Sequence, residues 1–355
     1  MKKYNWLLLF LYFGLFIAFG LIFYFKYLDR YLKSGAEPQT LETLQSTDYI
    51  YYSEGNNLFR LSPGLQTDPI NPERIERVQS TGKVNSLDIN KNGKLLAYEV
   101  ENSFGLREIW LVELTTNDSA KIAFQGKDGL SDFSEFIRPK FSPDGSRLAF
   151  LGLGSIDQII IDDLALDTFT RATKKFAAKL TDYTWEDDQK LIFCTSNLET
   201  NLCYEGDLET GADRQILQKD VIQIEMSNSG LIYLAKNQES ENLYLLDLKN
   251  LQSKSISDLK PPKKVSRFLL DKKGQKITYG VTEQNSSDIY LVNADGSNKI
   301  QLTADGKSTM PLINSQGDEI AFEITLDGIY TIKPDKTGGK KIVNLEDSVS
   351  LLLWR

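Results

Sequence analysis

The sequence predicts an all-β protein, a β-propeller of seven four-stranded blades (six as the alternative), preceded by one transmembrane helix. Three observations predict this architecture. One strand–turn–strand pattern recurs through residues 48–355, and the two ends of that region are incomplete in complementary ways. A single long apolar run without charges stands before the repeats.

The recurring unit is an apolar strand, a tight turn rich in Asp, Asn and Gly, and a second apolar strand. Its clearest copy is RPKFSPDGSRLAF at 138–150. Its relatives lie at 87–98, 268–279 and 311–322, and weaker copies lie at 183–193 and 224–233. The turn glycines Gly230, Gly274 and Gly317 are 44 and 43 residues apart. Four-stranded units that repeat every 40–45 residues or so are typical of propeller blades.

The two ends of the repeat region complete one unit between them. Residues 48–53 (DYIYYS) resemble a second strand without a first, and 58–61 and 75–78 supply the third and fourth. Residues 349–354 (VSLLLW) resemble a first strand without a second. We therefore expect the N- and C-terminal strands to close the ring in one shared blade. This completes a count of seven, whereas six would require one weak copy to be spurious.

The apolar run at residues 6–25 contains twenty residues without a charge, enough for a helix to cross ~30 Å of hydrocarbon. We expect a cytoplasmic tail at 1–5, a transmembrane signal-anchor helix at 6–28, a polar tether at 29–47 and the propeller at 48–355. The alternatives are a cleaved signal peptide and a buried core helix. A signal peptide has a shorter apolar region, roughly 7–15 residues, that ends at small residues, so an uncleaved anchor is favoured.

Basic residues flank the apolar run almost equally, with Lys2 and Lys3 before it and Lys26, Arg30 and Lys33 after it. The short N-terminal tail favours a single-pass protein of the cell membrane with its propeller outside the cytoplasm.

The part of the chain beyond the anchor is acidic. Residues 34–355 carry 36 Lys and Arg against 48 Asp and Glu, a net charge of −12. Such a surface repels phosphate backbones, so no nucleic-acid partner is expected. The predicted partners are the membrane, through residues 6–28, and an envelope protein or extracellular ligand.

The segments SPDGSRLAF (142–150) and IYLVNADGSNKIQLT (289–303) resemble the TolB-like (WD-repeat-like) bacterial β-propeller repeat family. The resemblance extends over residues 48–355 and concerns the propeller part only. It implies a blade architecture and a place in the bacterial envelope. TolB proteins are soluble in the periplasm and carry a separate N-terminal domain, whereas this chain has an apolar run and a short polar segment there.

The composition argues against the common catalytic sites. The chain has no His, which removes the usual proton shuttle and the commonest metal ligand, and it has no G-x-S-x-G motif. Asp144-Gly145 and Asp295-Gly296 are interpreted as turns, because no Glu follows at the spacing of a calcium loop. We therefore predict no catalytic residue, metal or cofactor.

The leading functional hypothesis is a non-catalytic binding module. The alternative is a propeller enzyme of the lyase, cyclase or hydrolase type. A sensor domain fits less well, because a five-residue cytoplasmic tail is too short to signal.

Cys194 and Cys203 are the only cysteines. They fall on neighbouring strands of one blade, and a hairpin centred between Leu198 and Glu199 would place them directly opposite each other. Two interpretations stay open at this point, a cross-strand disulfide and a pair of small buried apolar side chains.

The best candidate for a binding face is the side of the disc that carries the loops leading into each innermost strand. The longest of these, 125–136, contains Phe133 and Phe136. Aligning the innermost strands predicts a ring of residues at the channel mouth: Ser86, Arg138, Asp182, Gln223, Arg267, Met310 and Leu351. The candidate binding residues are Phe133, Phe136, Arg138, Asp182, Gln223 and Arg267. The alternative for the polar ones is ordinary solvated channel lining.

Overall fold

The computed structural model describes residues 48–62, 75–78, 82–173, 179–196, 201–237, 239–345 and 349–355. These residues form strands and turns, and none of them is helical. The predicted transmembrane helix at 6–28 and the tether at 29–47 lie outside the described residues. Within the described part of the chain, nothing is a helix long and apolar enough to span a bilayer.

The strands form antiparallel groups of four, and the order along the chain is also the order across each sheet. The first group is β1 (Ile50–Glu54), β2 (Asn57–Leu61) and β3 (Ile75–Val78) together with the last strand, β28 (Val349–Trp354). The next three groups are β4 (Lys83–Ile89), β5 (Leu95–Glu101), β6 (Arg107–Glu113) and β7 (Asp118–Ala123); β8 (Phe133–Phe141), β9 (Arg147–Gly154), β10 (Gln158–Asp163) and β11 (Thr168–Arg171); and β12 (Lys179–Trp185), β13 (Lys190–Ser196), β14 (Leu202–Asp207) and β15 (Asp213–Gln218).

The remaining strands continue the same arrangement. They are β16 (Val221–Ser227), β17 (Gly230–Asn237), β18 (Ser240–Asp247) and β19 (Gln252–Ser255); β20 (Lys264–Leu270), β21 (Lys276–Glu283), β22 (Ser286–Asn293) and β23 (Ile300–Gln301); and β24 (Ser308–Ile313), β25 (Ile320–Ile324), β26 (Gly328–Ile332) and β27 (Lys340–Asn344). Strands β16 to β23 count as one eight-stranded sheet, because Glu241 and Lys264 form a single parallel pair between β18 and β20.

The first and last strands share a sheet, as the sequence predicted. β28 pairs antiparallel with β1, so that Ile50 lies opposite Trp354 and Glu54 opposite Val349. The N–H of Tyr49 extends the ladder to the carbonyl of Arg355 at 2.7 Å. Hydrogen bonds between the first and the last strand therefore close the ring.

The hydrophobic core is divided into clusters that each join one group of strands to the next. The second strand of each group is buried on both faces, so its side chains point alternately to the preceding and the following group. Tyr52, for example, packs toward β24–β27, whereas Tyr51 packs toward β4–β7. The same pattern continues between every consecutive pair of groups until the first is reached again. A closed circle of sheets with cores between them is the arrangement of a β-propeller.

An aromatic residue occupies the same position of every second strand. These residues are Tyr52, Tyr98, Phe150, Phe193, Tyr233, Tyr279 and Phe322. Five of them stack on an aromatic ring directly opposite on the third strand, with interplanar angles between 18° and 24°. Cross-strand aromatic pairs of this kind add to sheet stability beyond the area that they bury.

A hydroxyl group repeats at the end of three groups. The N–H groups of Ile159, Leu243 and Ile289 each donate 2.9 Å hydrogen bonds to a buried hydroxyl fourteen residues later. The acceptors are Thr173, Ser257 and Thr303. Each one satisfies an N–H of the third strand at the point where the fourth strand stops pairing.

The turns between first and second strands meet around the ring and define its lower face. The N–H of Asp144 donates to Oδ1 of Asp188 in the next group at 2.8 Å. Gly274 has φ of +62°, and a Cβ there would lie 3.0 Å from the N atom of Asn228, so glycine satisfies both the turn and the packing. The opposite side, with the loops entering the first strands and the hairpins between second and third strands, is the upper face.

Candidate functional site

The innermost strand of each group carries a β-bulge, and the bulges surround the centre of the ring. They interrupt the pairing of β4, β8, β12, β16, β20, β24 and β28. A bulge adds a residue on one strand, which increases the local twist and changes the direction of the neighbouring side chains. The bulges therefore decide which side chains face the channel.

Two of the bulges contain a residue with left-handed backbone followed by proline. Arg138 has φ of +55° and Met310 has φ of +50°. Pro139 and Pro311 follow them and have no N–H to give to the ladder, so they are tolerated where the ladder is interrupted. The unusual backbone of Arg138 directs its own N–H to Glu99 Oε2 at 3.1 Å.

The upper layer of the channel is a chain of contacts between neighbouring groups. Arg138 Nη1 lies 3.0 Å from Asp182 Oδ1 and also donates to the carbonyl of Thr181. Asp182 Oδ2 accepts the N–H of Ile224 at 2.9 Å, and Gln223 Nε2 donates to the carbonyl of Phe268 at 2.9 Å. Each polar side chain thus reaches the next strand around the ring.

Glu99 is a buried carboxylate at the edge of this layer. Besides the N–H of Arg138, it accepts a hydrogen bond from Ser86 Oγ at 2.7 Å, and Arg107 Nη1 lies 4.0 Å from its other oxygen. A buried carboxylate is stable only when donors and opposite charge surround it. Glu99 is therefore a structural anchor for the strained backbone at Arg138.

The lower layer lies two residues further along the innermost strands, and three of the seven strands carry a charge there. Lys140 on β8 reaches past β12 to Glu225 on β16, with its Nζ 2.8 Å from Oε1. On the intervening strand β12, Thr184 Oγ1 donates a hydrogen bond to Glu225 at 3.4 Å. Asp88 accepts the N–H of Phe141 at 2.8 Å. The other side of this layer is aliphatic, with Leu269, Leu312 and Leu353 at the equivalent positions.

Burial and neighbouring charges in the channel shift the pKa values of the charged groups in the lower layer. Burial raises the pKa of Glu225, and Lys140 counteracts this only in part. Burial alone would lower the pKa of Lys140, but the carboxylates of Glu225, Asp182 and Asp88 outweigh it and raise that pKa. Burial also raises the pKa of Asp88. The lower layer therefore holds protons more tightly than the same groups would in water.

Arg267 also reaches past one innermost strand. Its guanidinium donates to the carbonyl oxygens of Leu351 at 2.7 Å and Leu352 at 3.2 Å, beyond the intervening strand β24. Burial lowers its pKa to about 10, so it stays charged at neutral pH. Arg267 therefore bonds to the strand that closes the ring.

The channel is a network of paired charges rather than a set of free reactive groups. Within the described ranges, no group of three or more Cys, Asp or Glu residues is arranged to hold a metal ion. The arrangement can hold the innermost strands in fixed register and can present a rigid upper face.

No family model and no curated protein matches the sequence. Among solved structures, TolB from Acinetobacter baumannii aligns with a TM-score of 0.53 at 18% identity, over 74% of this chain and 64% of that one. An oligogalacturonate lyase in complex with manganese aligns at 0.58 and 12%, over 83% and 84% of the two chains. The chain spans less than two thirds of the TolB structure. These likenesses show the fold. The chain folds as a β-propeller, as TolB does.

A third similar structure differs at the point of closure. The β-propeller domain of the trilobed protease from Pyrococcus furiosus aligns with a TM-score of 0.57 at 14% identity, over 85% of this chain and 95% of that one. It is described as having an open velcro topology, whereas the first and last strands of this chain are paired.

The structure corrects two of the candidate binding residues. Phe133 and Phe136 were expected on a loop, but both belong to β8 and lie in the core between β4–β7 and β8–β11, 3% and 0% exposed. The pairing of β8 shifts between Phe133 and Glu135, and this irregularity places both rings in the same core although they are three residues apart. They are part of the core and are not available to a ligand.

The other four candidates lie where the alignment of innermost strands predicted, at or beside the bulges. Arg138 and Asp182 contact each other, and Gln223 and Arg267 each bond to the backbone of another strand. All four are engaged within the protein. Arg138 has the more accessible side chain of the Arg138–Asp182 pair, with 41% exposed.

Sequence reasoning missed the lower layer of Asp88, Lys140 and Glu225 and the anchor Glu99. Strand alternation could have indicated the lower layer, because residues two positions apart on a strand share a face and each of these three follows a predicted channel residue by two positions. No local pattern could reveal that Lys140 pairs with a residue 85 positions away.

The two cysteines lie directly opposite each other on β13 and β14 and are joined as a disulfide. Both are buried, in the cluster between β12–β15 and β16–β19. The predicted register is thus correct, and the bond joins the second and third strands of one group.

Proposed function

We propose that this chain is a membrane-tethered, extracytoplasmic propeller of seven blades that serves as a non-catalytic protein- or ligand-binding module of the cell envelope. Five four-stranded sheets and one sheet of two joined groups support the count of seven. The proposal of a non-catalytic role rests on the pairing of the charged side chains in the central channel. Lys140 with Glu225 and Arg138 with Asp182 form ion pairs that stabilise a rigid scaffold.

The upper face is the proposed binding surface. Asp48 accepts hydrogen bonds from Ser315 in a lower-face turn, so the first described residue lies on the lower face. Four large apolar side chains are exposed at the upper ends of strands or in upper hairpins: Phe104, Ile156, Ile222 and Leu326. Leu166 and Leu251 are exposed on the lower face. Loops on a rigid scaffold are where binding residues are commonly found.

In-cell photo-crosslinking tests the choice of face. A photoreactive phenylalanine analogue at position 104 should give discrete protein adducts in the membrane fraction, whereas the same analogue at position 166 should give none. Equal patterns at both positions would contradict an upper-face site. A separate fusion after Arg355 tests the orientation, because a periplasm-active reporter enzyme should work there and a reporter that fluoresces only in the cytoplasm should stay dark.

The enzyme alternative remains the competing hypothesis, since an oligogalacturonate lyase is among the similar structures. Purified residues 34–355 should show no turnover of oligogalacturonates or peptides, with or without added manganese. Turnover that is lost on unfolding would overturn the non-catalytic proposal.

A further inference from the structure

A buried carboxyl group lies at the contact between two sheets of the ring. Asp162 is on β10 and is only 3% exposed. Its Oδ1 has no hydrogen-bond donor within the described part of the chain. A buried charged oxygen without a donor is costly, whereas the neutral acid is tolerated much better.

The surroundings of Asp162 are apolar. Its cross-strand neighbours are Leu148 on β9 and Phe169 on β11. Ile160, two residues earlier on the same face, packs in the cluster between β4–β7 and β8–β11. The ring of Phe169 lies 6.3 Å from that of Phe150 in the same cluster. The carboxyl group therefore borders the core that joins these two groups of strands.

The charged groups around Asp162 favour the neutral form on balance. Asp163 and Asp167 come from its own sheet and are negative. Lys127 comes from the loop between β7 and β8, and its amine lies over the ring of Phe169, 6.0 Å from the centroid. Burial first, then Asp167 and Asp163, raise the pKa of Asp162 to about 6, and Lys127 offsets this only in part.

We propose that Asp162 makes the contact between the β4–β7 and β8–β11 groups sensitive to pH, so that this contact is tight when the side chain is neutral and loosens when it ionises. The folded chain holds this proton more tightly than the unfolded chain does. The contribution of Asp162 to stability is therefore fully present below the unfolded pKa of 3.8 and is lost as pH rises through about 6. A carboxyl pKa that rises from 3.8 to about 6 corresponds to a roughly 100-fold change in the unfolding equilibrium constant.

Thermal unfolding of the purified full chain between pH 4.5 and 8 tests the proposal with Asp162→Asn. The variant should melt higher than the natural protein at pH 8, and this advantage should shrink steadily toward pH 4.5. The matched control is Asp163→Asn, the next residue on the strand, whose Oδ1 accepts the N–H groups of Ala165 and Leu166. Asparagine can accept the same bonds, so the control should keep most of the pH dependence, with a somewhat lower midpoint because one negative neighbour of Asp162 is removed. Parallel pH profiles for Asp162→Asn and the natural protein would overturn the proposal.

Hydrogen exchange in the unmodified protein gives a second test that does not depend on a variant folding. After correction for intrinsic rates, the amides of β10 and β11 should lose protection between pH 5 and pH 7.5, while those of β20 and β21 should not. Asp162→Leu should remove the loss if it folds. Unchanged protection of β10 and β11 in the natural protein would contradict the proposal.

Discussion

Arg267 bonds to Leu351 across the ring, with its Nη1 2.7 Å from the carbonyl oxygen of the closing strand. The bulge in β28 lies at this point, because Tyr51 of β1 pairs with Leu353 whereas Tyr52 pairs with Leu351. The bulge leaves Leu352 without a partner on β1, and the guanidinium donates to the carbonyls of Leu351 and Leu352. A side chain from β20 thus stabilises the strand that joins the two ends of the chain.

Replacing Arg267 with Met should lower the free energy of unfolding by about 1.5–3 kcal/mol, because two carbonyls lose charged donors. Urea unfolding would measure the loss. Arg214→Met is the matched control. Arg214 likewise donates to a backbone carbonyl, that of Leu248, and it also pairs with the carboxylate of Glu205, but its side chain is 50% exposed. The Arg214→Met variant should therefore lose only about 0–1 kcal/mol of unfolding free energy. Equal losses in both variants would contradict the role assigned to Arg267.

Removing residues 349–355 should have a much larger effect. β1 would lose its partner strand, and the buried side chains of Leu351 and Trp354 would leave the core. An open sheet edge beside exposed apolar groups favours aggregation, so we expect insoluble protein or a broad, non-cooperative transition. Deleting residues 34–46 is the control and should leave the transition unchanged. Similar behaviour of the two truncations would contradict closure by β28.

The period of the sequence repeat and the positions of the turn residues were enough to predict the strands, the sheet shared by the first and last strands, and the register of Cys194 with Cys203. These features depend on neighbours in sequence or on a repeat, both of which are visible in the chain. The burial of Phe133 was not predicted, because the length of β8 depends on its packing against another sheet. The Lys140–Glu225 pair was not predicted either, because the closed ring brings together residues that are far apart in the sequence.

The corrected position of Phe133 predicts a change in stability rather than in binding. Phe133→Ala should lower the free energy of unfolding by about 3–5 kcal/mol through a cavity in the core. Phe104→Ala is the same chemical change at a side chain that is 86% exposed, and it should alter stability by no more than about 0.5 kcal/mol. Denaturant unfolding of both variants distinguishes these outcomes, and a stable Phe133→Ala variant would restore a surface role for that ring.

The disulfide should be present in protein recovered from an oxidising compartment. Unfolded and unreduced protein should then show no reactive thiols, and reduction should release two. Replacing both cysteines with Ala should cost roughly 2–3 kcal/mol, because the bond closes a short loop in the unfolded chain. Two reactive thiols before reduction would establish the alternative interpretation, a pair of buried apolar side chains.

Lys140 should be more important to stability than its partner Glu225. Lys140 is surrounded by Glu225, Asp182 and Asp88, so its removal takes a nearby positive charge from all three carboxylates, although Asp182 keeps its ion pair with Arg138. The two side chains are 20% and 27% exposed, so the loss for Lys140→Met should be about 1–3 kcal/mol, below that of a fully buried pair. Glu225→Gln should cost less, because Lys140 keeps the other two carboxylates.

The pH dependence of the Lys140→Met variant identifies the cause of its loss. Burial already raises the pKa of Glu225, and removing Lys140 removes the charge that opposes this shift. The folded variant therefore binds the proton more tightly than the unfolded chain, and its stability falls as pH rises above the usual carboxyl range. The loss should be small near pH 4 and full at pH 8, and Lys140→Met with Glu225→Gln should recover part of it. The exposed pair Lys263–Glu283 is the control, and Lys263→Met should show little loss at either pH. A loss for Lys140→Met that is the same at both pH values would mean that Lys140 acts by packing alone, because a charge effect must disappear when the carboxyl groups are neutral.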